Sequence, residues 1–295
     1  MSTILVAGAA GTIGRHVVPA LAHRGHRPVA FGRDSERLAV THPGVECRVG
    51  DFGDPETLRA AMAGVDGVFL LSPNTPDQVQ HECAVIDAAA AAGVRRIVKL
   101  SARGAHETSP VAFWQWHAAI ESHLERSGVP YVALRAGFSM ANVLGHADQV
   151  RDHDILPAPA LAAPVAMVHP ADVAEVAAHL LATEPFPTER VLELTGPQAV
   201  TFAELGELLT DVTGRPISYV GGTDDQVRQS LGERGVPGFV TDQILAIFDQ
   251  LRAGAQSSTT PTVTDVLGRP GRPVRDFLAE NAAAFNPARQ NRSAS

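Results

Sequence analysis

The fold is decided by the stretch Ile4-Leu5-Val6-Ala7-Gly8-Ala9-Ala10-Gly11-Thr12-Ile13-Gly14, close to the first residue of the sequence. A short apolar run ends at Gly8, and apolar residues at helical spacing begin near Thr12. The stretch therefore predicts a strand, a tight turn and a helix in immediate succession. Its glycines recur at every third position, which differs by one residue from the G-x-G-x-x-G of dinucleotide-binding turns.

Each glycine has a physical role in such a turn. Gly8 can adopt positive φ at little cost, Gly11 lets the backbone approach a diphosphate, and Gly14 lets the helix pack closely on the strand. The helix N-terminus then offers free N–H groups and a positive dipole end to phosphates. We therefore predict a dinucleotide site here. The alternative is a structural glycine-rich turn in another kind of α/β protein.

Composition limits the class of protein. The 295 residues allow one large domain or two smaller ones, and the net charge of −8 without a basic run argues against nucleic-acid binding. Cys47 and Cys83 exclude a disulfide scaffold and have no metal-type spacing. With no secretory leader and no apolar stretch of membrane-spanning length, we expect a cytoplasmic protein with a small-molecule substrate and no membrane partner. The composition also allows a homo-oligomer.

Strands and helices alternate through the first half of the chain. Helical patterns separate the apolar runs that follow the glycine turn, and the last of these patterns runs from about Ala112 to Ser127 and stops at Gly128. The apolar runs predict strands at Pro28–Phe31, Val45–Val49, Val68–Leu71, Ile97–Leu100 and Tyr131–Leu134. This alternation predicts the α/β class, with a Rossmann-like, doubly wound parallel sheet and ligands at the carboxyl ends of the strands.

The alternation breaks from about residue 143. Pro157, Pro159 and Pro164 predict an irregular segment, which is followed by a helix at Pro170–Thr183 and a short strand at Val191–Leu194. Further helices are predicted up to Phe285, the first of them with a Thr201–Glu204 capping box.

Arg33 points to the identity of the dinucleotide. It directly follows the second predicted strand, where an Asp or Glu would bind the adenosine 2′-OH of NAD. A guanidinium at this position pairs instead with a 2′-phosphate. NADP is therefore favoured over NAD. The alternatives are that Arg33 is merely exposed, or that Asp34 turns inward.

The sequence resembles the NmrA-like group of atypical short-chain dehydrogenases/reductases, close to its NADPH-dependent quinone and azo-dye reductases. The matching segments are Gly8–Gly14, Arg33, Gly50-Asp51, Lys99–Ala102, His117–Glu121, Ser127–Tyr131, Leu134–Asn142, Leu194–Pro197, Thr201–Glu204 and Gly214–Pro216. The resemblance implies a Rossmann domain at residues 1–142 and a small, mostly helical substrate-covering lobe at residues 143–295. Parts of residues 170–220 would return to the Rossmann core.

The resemblance also implies a set of NADP contacts. The diphosphate would lie over the glycine turn, Arg33 would face the 2′-phosphate, and the nicotinamide would lie near the end of the fifth strand. The implied cofactor residues are Gly8, Ala10, Gly11, Thr12, Ile13, Gly14, Arg33, Asp51, Phe52, Leu71, Ser72, Pro73, Ser101, Ala136, Gly137 and Phe138.

The usual catalytic pair of this superfamily is missing. Ordinary short-chain reductases carry Tyr-x-x-x-Lys on the helix after the fifth strand, where the tyrosine donates the proton. Here Phe113 and His117 occupy the two positions, and Lys99, the only lysine, is on a strand. Tyr131 and Tyr219 lack the spacing. These residues therefore argue against a ketone-reducing mechanism of the ordinary kind.

Two functions are compatible with these residues. In the first, NADPH passes hydride to a quinone-, azo- or enone-like acceptor that needs little acid help, with His117 and Ser101 as catalytic candidates. His117 would donate a proton or hold the ribose, unless Glu121 or solvent satisfies it; Ser101 would hydrogen-bond the acceptor, unless it bonds backbone. In the second, the protein binds NADP as a redox-sensing regulator without catalysis.

Four residues are candidates for substrate contact. Trp114, Phe138 and Met140 supply large apolar side chains near the expected nicotinamide end, and Asn142 follows the same turn. Packing is an equal alternative for the tryptophan, and helix capping is one for Asn142.

Overall fold

The computed structural model describes residues 1–286. Within these residues the strands are β1 (Thr3–Ala7), β2 (Arg27–Gly32), β3 (Glu46–Val49), β4 (Gly67–Leu70), β5 (Arg96–Ala102), β6 (Tyr131–Ala136), β7 (Ile155–Pro159), β8 (Val191–Leu194) and β9 (Ser218–Gly222). The helices are α1 (Gly14–His23), α2 (Ser35–Thr41), α3 (Pro55–Ala61), α4 (Gln78–Ala91), α5 (Ala112–Ser127), α6 (Ala147–His153), α7 (Pro170–Ala182), α8 (Phe202–Thr213), α9 (Asp224–Glu233), α10 (Gly238–Arg252), α11 (Thr262–Leu267), α12 (Val274–Glu280) and α13 (Ala282–Phe285), with a 3₁₀ helix at Met140–His146.

The described chain divides into two compact units, and the division differs from the expected one. The first unit comprises Met1–Gly137, Pro170–Thr195 and Thr260–Gly271. The second comprises Phe138–His169, Gly196–Thr259 and the described residues from Arg272 on. The boundary therefore falls at residue 137 rather than 142. Of residues 170–220, only those up to Thr195 belong with the first unit, because β8 extends its sheet and α7 packs on α1.

Residues 260–271 also belong to the first unit, which the sequence does not predict. This segment contains α11, which packs against α7 and β8. The expected second lobe runs to Ser295, and residues 287–295 lie outside the described part.

A parallel sheet organises the first unit. Among residues 1–286 its strands lie in the order β3-β2-β1-β4-β5-β6-β8, and every neighbouring pair is parallel. The strand order reverses at β1, which pairs with both β2 and β4. Ligands of such sheets bind outside the carboxyl ends of the strands at this reversal. The predicted Rossmann-like fold is confirmed.

Burial explains why the strands read as continuous apolar runs. Residues 4–7 of β1 and 68–70 of β4 are completely buried, as expected of central strands covered on both faces. One face carries α1 and α7, and the other packs against α3, α4 and α5 through side chains such as Leu58, Ile86 and Leu124. The bounds of α5 and β8 are those predicted, and Gly128 ends α5 in the left-handed conformation.

The second unit has its own apolar core, in which Phe202 and Phe248 lie with ring centroids 5.7 Å apart. The capping box of Thr201 and Glu204 is present at the start of α8 as predicted. The irregular segment predicted around Pro157, Pro159 and Pro164 is wrong in its first part, because Ile155–Pro159 form β7, whereas residues 160–164 lie outside any helix or strand. β7 pairs in parallel with β9. An edge strand tolerates Pro157 and Pro159 where the position that lacks an N–H faces away from the partner.

His146, at the end of the 3₁₀ helix, predicts acid sensitivity. Burial, with a smaller contribution from Arg234, lowers its pKa to about 4. The folded state therefore binds fewer protons than the unfolded state, and the free energy of unfolding falls as pH decreases from about 6.5 to 4, by up to about 3 kcal/mol for this group. Urea denaturation at pH 7 and pH 4.5 should show a smaller loss for His146→Gln than for the wild type. Substitution of the exposed His153 by glutamine is the control, and an equal loss in all three proteins would contradict the assignment.

No helix within residues 1–286 has the length and apolar character needed to cross a membrane.

Candidate cofactor and active site

The turn between β1 and α1 has the geometry that its glycines predict. Gly8 has a φ of +70°, and a Cβ atom there would lie 2.7 Å from the carbonyl oxygen of Leu71. The N–H of Gly11 donates to the carbonyl of Gly8 at 2.9 Å. A Cβ on Gly14 would lie 2.2 Å from the Gly8 carbonyl oxygen, so the helix approaches the strand as closely as a glycine allows.

The N-terminus of α1 is suited to an anion. Ile13 is the N-cap and provides no side-chain hydrogen bond, and the first turn contains no acidic side chain. In a helix of ten residues, the first N–H groups and the positive dipole end are therefore not neutralised by a local carboxylate. We call the turn with Gly8, Gly11 and Gly14 the glycine cradle. Together with this helix end, it fits a dinucleotide diphosphate, with the backbone of Ala10, Gly11, Thr12 and Ile13 around it.

Helix α2 and its C-cap residue brace the glycine turn through two contacts that the sequence does not predict. The Nε2 atom of His42 lies 3.0 Å from the carbonyl oxygen of Ala9, and Arg37 donates to the carbonyl of Ala10 at 3.3 Å. Both contacts hold carbonyl groups toward α2. Nothing in the local pattern signals them, because each joins residues 27 or more positions apart.

The ends of β2 and β3 form a cationic corner. Arg33 lies 3.8 Å from a carboxylate oxygen of Asp51, and its side chain is 78% exposed, so this weak pair leaves the guanidinium open to another anion. Asp34 does not turn inward, because its carboxylate accepts the N–H of Arg37 as the N-cap of α2. No carboxylate of Asp34 therefore occupies the ribose position, and Arg37 brings a second exposed guanidinium to this corner.

The remaining predicted adenosine contacts are positioned by local packing. Asp51 accepts the N–H of Gly53 at 2.7 Å, which fixes the turn after β3. The ring of Phe52 packs 5.6 Å from that of Phe31 and 6.2 Å from that of His81. After β4, Leu71 and Pro73 keep some exposure. Ser72 is buried and donates its hydroxyl to Glu82 at 2.8 Å, so its side chain is held inside the protein.

Ser101 has a different partner from those considered in the sequence. Its hydroxyl donates to Glu121 of α5 at 2.5 Å, and Glu121 is held in turn by two hydrogen bonds from Arg135, at 3.1 and 2.6 Å. Ser101 is 3% exposed. The single proton of this hydroxyl is therefore already donated within the protein. Toward a bound substrate, the hydroxyl could only accept a hydrogen bond.

His117 is likewise held by an internal partner, which is neither Glu121 nor solvent. Its Nδ1 atom lies 2.9 Å from the Nζ atom of Lys99. Burial, reinforced by the neighbouring ammonium of Lys99, lowers the pKa of His117 well below its usual range. The expectation that this imidazole donates a proton by titrating near neutrality is therefore not supported, and His117 is neutral in the physiological range.

The two tyrosines also make internal hydrogen bonds. Tyr131 donates its hydroxyl to Glu125 at 2.7 Å, and burial together with this bond raises its pKa to about 12. Tyr131 begins β6, at the end of the strand opposite to the ligand edge. Within the second unit, the hydroxyl of Tyr219 donates to Pro159 and accepts from Leu161. Neither tyrosine replaces the missing proton donor.

The predicted nicotinamide turn ends the first unit. Ala136 accepts the N–H of Arg103 at 2.8 Å, and Gly137 donates to Leu194 at the same distance. Phe138 begins the second unit, where its N–H donates to Gln256 at 2.9 Å. These contacts fix the backbone of the turn.

The predicted substrate contacts have different environments. Trp114 is 7% exposed, and its indole covers Gly104, where a Cβ atom would lie 2.6 Å from the ring. Met140 is completely buried in the core of the second unit, so the prediction that it contacts substrate is replaced by a packing role. Phe138 packs edge-on against Phe202, whereas Asn142 is exposed on the 3₁₀ helix.

No group of three or more His, Cys, Asp or Glu side chains in residues 1–286 is arranged to hold a metal ion.

The parallel sheet, the glycine cradle and the cationic corner define a Rossmann-like nucleotide-binding protein. The model of the NmrA-like family matches residues 1–259, and the chain belongs to this family. It is 34% identical to the NAD(P)H azoreductase of Xenophilus azovorans over 97% of this chain and 100% of that protein. It is 39% identical to the (4-alkanoyl-5-oxo-2,5-dihydrofuran-3-yl)methyl phosphate reductase of Streptomyces griseus, over 96% and 99% of the two chains.

Solved structures agree with these relatives. The NADPH-dependent quinone oxidoreductase QOR2 of Escherichia coli, complexed with NADPH, superposes with a TM-score of 0.83 at 27% identity, over 95% of this chain and 98% of that one. The Citrobacter triphenylmethane reductase complexed with NADP(H) gives the same TM-score at 25% identity, over 95% and 100%. The predicted family, fold and enzyme class are thereby confirmed: the named relatives are oxidoreductases, and both of these solved structures hold NADPH or NADP(H).

Proposed function

We propose that this chain is an NADPH-dependent reductase that transfers hydride to a small conjugated acceptor of the quinone, azo or enone type. The observation that carries the proposal is the glycine cradle at the N-terminus of α1, with the exposed guanidinium of Arg33 at the end of the neighbouring strand β2. The first element fits a diphosphate, and the second discriminates the 2′-phosphate of NADP from the free hydroxyl of NAD.

The acceptor class follows from what the site lacks. Phe113 stands where a tyrosine would donate a proton, and His117 is held neutral. Reduction of an isolated ketone builds charge on one oxygen and needs such an acid. Quinones, azo compounds and enones delocalise that charge, so water can supply the proton afterwards. The azoreductase and the quinone oxidoreductase among the relatives act on acceptors of this kind by name.

Bound NADPH supplies the hydride, and the protein residues hold and orient it. The backbone of the glycine turn would bind the diphosphate, while Arg33 and Arg37 would bind the 2′-phosphate. Asp51 and Phe52 would border the adenine. Ser101 acts as a positioning residue, because its proton is given to Glu121 and fixes the carboxyl end of β5.

Turnover tests the proposal directly. Purified protein should consume NADPH, followed by its absorbance, with at least one member of a panel containing quinones, azo dyes and cyclic enones, and NADH should bind more weakly. Calorimetry measures cofactor binding separately. Tight NADPH binding without turnover on any acceptor would overturn the reductase proposal and support an NADP-binding regulatory protein instead.

His117 provides a second test. We expect His117→Ala to lower kcat/KM by about 10-fold, the effect of one lost positioned hydrogen bond of about 1.4 kcal/mol. His123, six residues further along α5, pairs with Asp87 at 2.7 Å and serves as the matched histidine control. If His117→Ala and His123→Ala have the same kcat/KM as the wild type, His117 has only a structural role.

A further inference from the structure

A buried polar network lies under the carboxyl edge of the sheet in the first unit. Lys99, the only lysine of the sequence, is completely buried on β5. Its ammonium lies 2.7 Å from the carbonyl oxygen of Leu100, 2.9 Å from Nδ1 of His117 and 3.0 Å from a carboxylate oxygen of Glu82. An ammonium has three protons and no lone pair, so it only donates: Leu100 and His117 accept hydrogen bonds from Lys99, whereas the contact with Glu82 is an ion pair.

Glu82 connects this lysine to the loop after β4. Its second carboxylate oxygen accepts the N–H of Ser72 at 3.2 Å, the hydroxyl of Ser72 at 2.8 Å and the amide of Gln78 at 3.3 Å. The network therefore joins the end of β4, helix α4, strand β5 and helix α5. Its hydrogen bonds are strengthened by the low dielectric around them, although the Oε1 atom of Gln78 and the Oε2 atom of Glu82 accept no hydrogen bond within the described residues.

The network determines which nitrogen of His117 carries the proton. Because the ammonium of Lys99 only donates, Nδ1 of His117 must be an unprotonated acceptor. A neutral imidazole then carries its proton on Nε2. Protonating Nδ1 would direct an N–H at an ammonium, which agrees with the strongly lowered pKa. The other charged group near by, Glu121 one turn along α5, is neutralised by Arg135.

His117 lies toward the ligand edge. Helix α5 returns from the carboxyl end of β5, and Glu121 already meets Ser101 near the end of that strand. His117, one turn earlier in α5, is nearer to the edge. Among residues 1–286, Nε2 of His117 makes no hydrogen bond, although it is not one of the fully enclosed polar atoms. This nitrogen therefore has no acceptor within the described residues, and the helix that carries it packs on β5 and β6.

We propose that the buried Glu82–Lys99 pair is a positioning device that holds His117 as the Nε2–H tautomer, which donates a hydrogen bond to the nicotinamide nucleoside of NADPH. This inference rests on the proposed NADPH function. Arg33 anchors the adenosine half over β2 and β3, so the second nucleoside belongs over the other half of the sheet. A buried ion pair is seldom more stable than an apolar replacement, so stability alone does not explain a lone buried lysine.

The double variant Lys99→Met/Glu82→Gln tests the pair. It removes both charges together, so no unpaired buried charge remains, and the glutamine oxygen can still accept from Ser72. Circular dichroism and thermal melting establish that it folds. We expect NADPH to bind about 10-fold more weakly. In addition, kcat/KM should rise with decreasing pH between 8 and 5.5, because the released neutral ring exchanges between tautomers whereas the protonated ring always carries a proton on Nε2; this titration is absent from the wild-type profile.

NMR of protein with ¹⁵N-labelled histidines, of which the sequence has 12, identifies the tautomer of His117 and does not require the enzyme to be active. The signals of His117 are assigned by their loss in His117→Gln. In the wild type, Nε2 should carry the proton at all pH values from 5.5 to 8, and its signal should move when NADPH is added. Tyr131→Phe, which deletes another hydrogen bond of α5, should leave these signals unchanged.

The outcomes separate this inference from the proposed reductase activity. A wild-type His117 that titrates in this range, or carries its proton on Nδ1, overturns the inference even if the enzyme is active. A fixed tautomer whose signal ignores NADPH overturns the cofactor contact. A fixed tautomer that responds to NADPH supports the inference even where no acceptor is reduced.

Discussion

Gly14→Ala is expected to weaken NADPH binding by roughly 100-fold or more and to lower the melting temperature. The new methyl group would lie 2.2 Å from the carbonyl oxygen of Gly8 and 2.8 Å from Cα of Ala9. Both are backbone atoms, so α1 must move away from β1. Overpacking of this kind costs about 1–3 kcal/mol of folding free energy, and the shifted helix end no longer directs its N–H groups at the diphosphate. Calorimetry and thermal melting measure the two effects.

Two further variants separate the cradle from general destabilisation. At Gly11 a Cβ atom would lie 3.1 Å from the Gly8 carbonyl oxygen and meet nothing closer, so Gly11→Ala should remain folded but still obstruct the diphosphate. Gly232, exposed in α9, is the control: a Cβ atom there would meet no atom within 4 Å, so alanine should be neutral or slightly stabilising. Unchanged NADPH affinity in both Gly14→Ala and Gly11→Ala would contradict the placement of the diphosphate at this turn.

The double variant Arg33→Ala/Arg37→Ala is expected to raise the Kd for NADPH about 100-fold and the Kd for NADH only a few-fold, the smaller effect because Arg37 also donates to the carbonyl of Ala10 in the glycine turn. A hydrogen bond to a charged group contributes about 1.5–3 kcal/mol, and two guanidinium groups flank the expected 2′-phosphate. Because both side chains are exposed, high salt should reduce the difference between wild type and variant.

The matched control for these arginines is Arg59→Ala. Arg59 is equally exposed but lies in the last turn of α3, away from the carboxyl ends of the strands. The substitution Arg59→Ala removes a charge of the same sign and should change the Kd of neither NADPH nor NADH. Equal losses of NADPH and NADH affinity in the double variant would show that the arginines do not read the 2′-phosphate.

Local signals predict those elements that local physics forms. Helix α5 has the predicted bounds because its apolar spacing and the glycine that follows it act within one chain segment. The prolines of β7 mislead the same reasoning. Their compatibility with a strand depends on whether the strand has a partner on one side or two, and this is decided by a segment some 60 residues away.

The same distinction between local and distant signals applies to the residues of the candidate site. Arg33 and the glycine turn can be identified because strand ends and glycine spacing are visible in sequence. The neighbours of Met140 in the chain suggest substrate contact, yet it is enclosed by residues of the second unit. The position of His117 singles it out, but its partner Lys99 comes from a strand 18 residues earlier.

The parallel α/β fold, the dinucleotide turn and the missing tyrosine and lysine can be predicted from the order of residues, because each depends on residues that are adjacent or periodic along the chain. The partners of those residues are established by the tertiary fold. It joined Lys99 and Glu82 to His117, directed the proton of Ser101 to Glu121, and set Arg37 and His42 against the glycine turn. The physical reason is that hydrogen bonds and burial depend on distances across neighbouring strands and helices, which chain order does not specify.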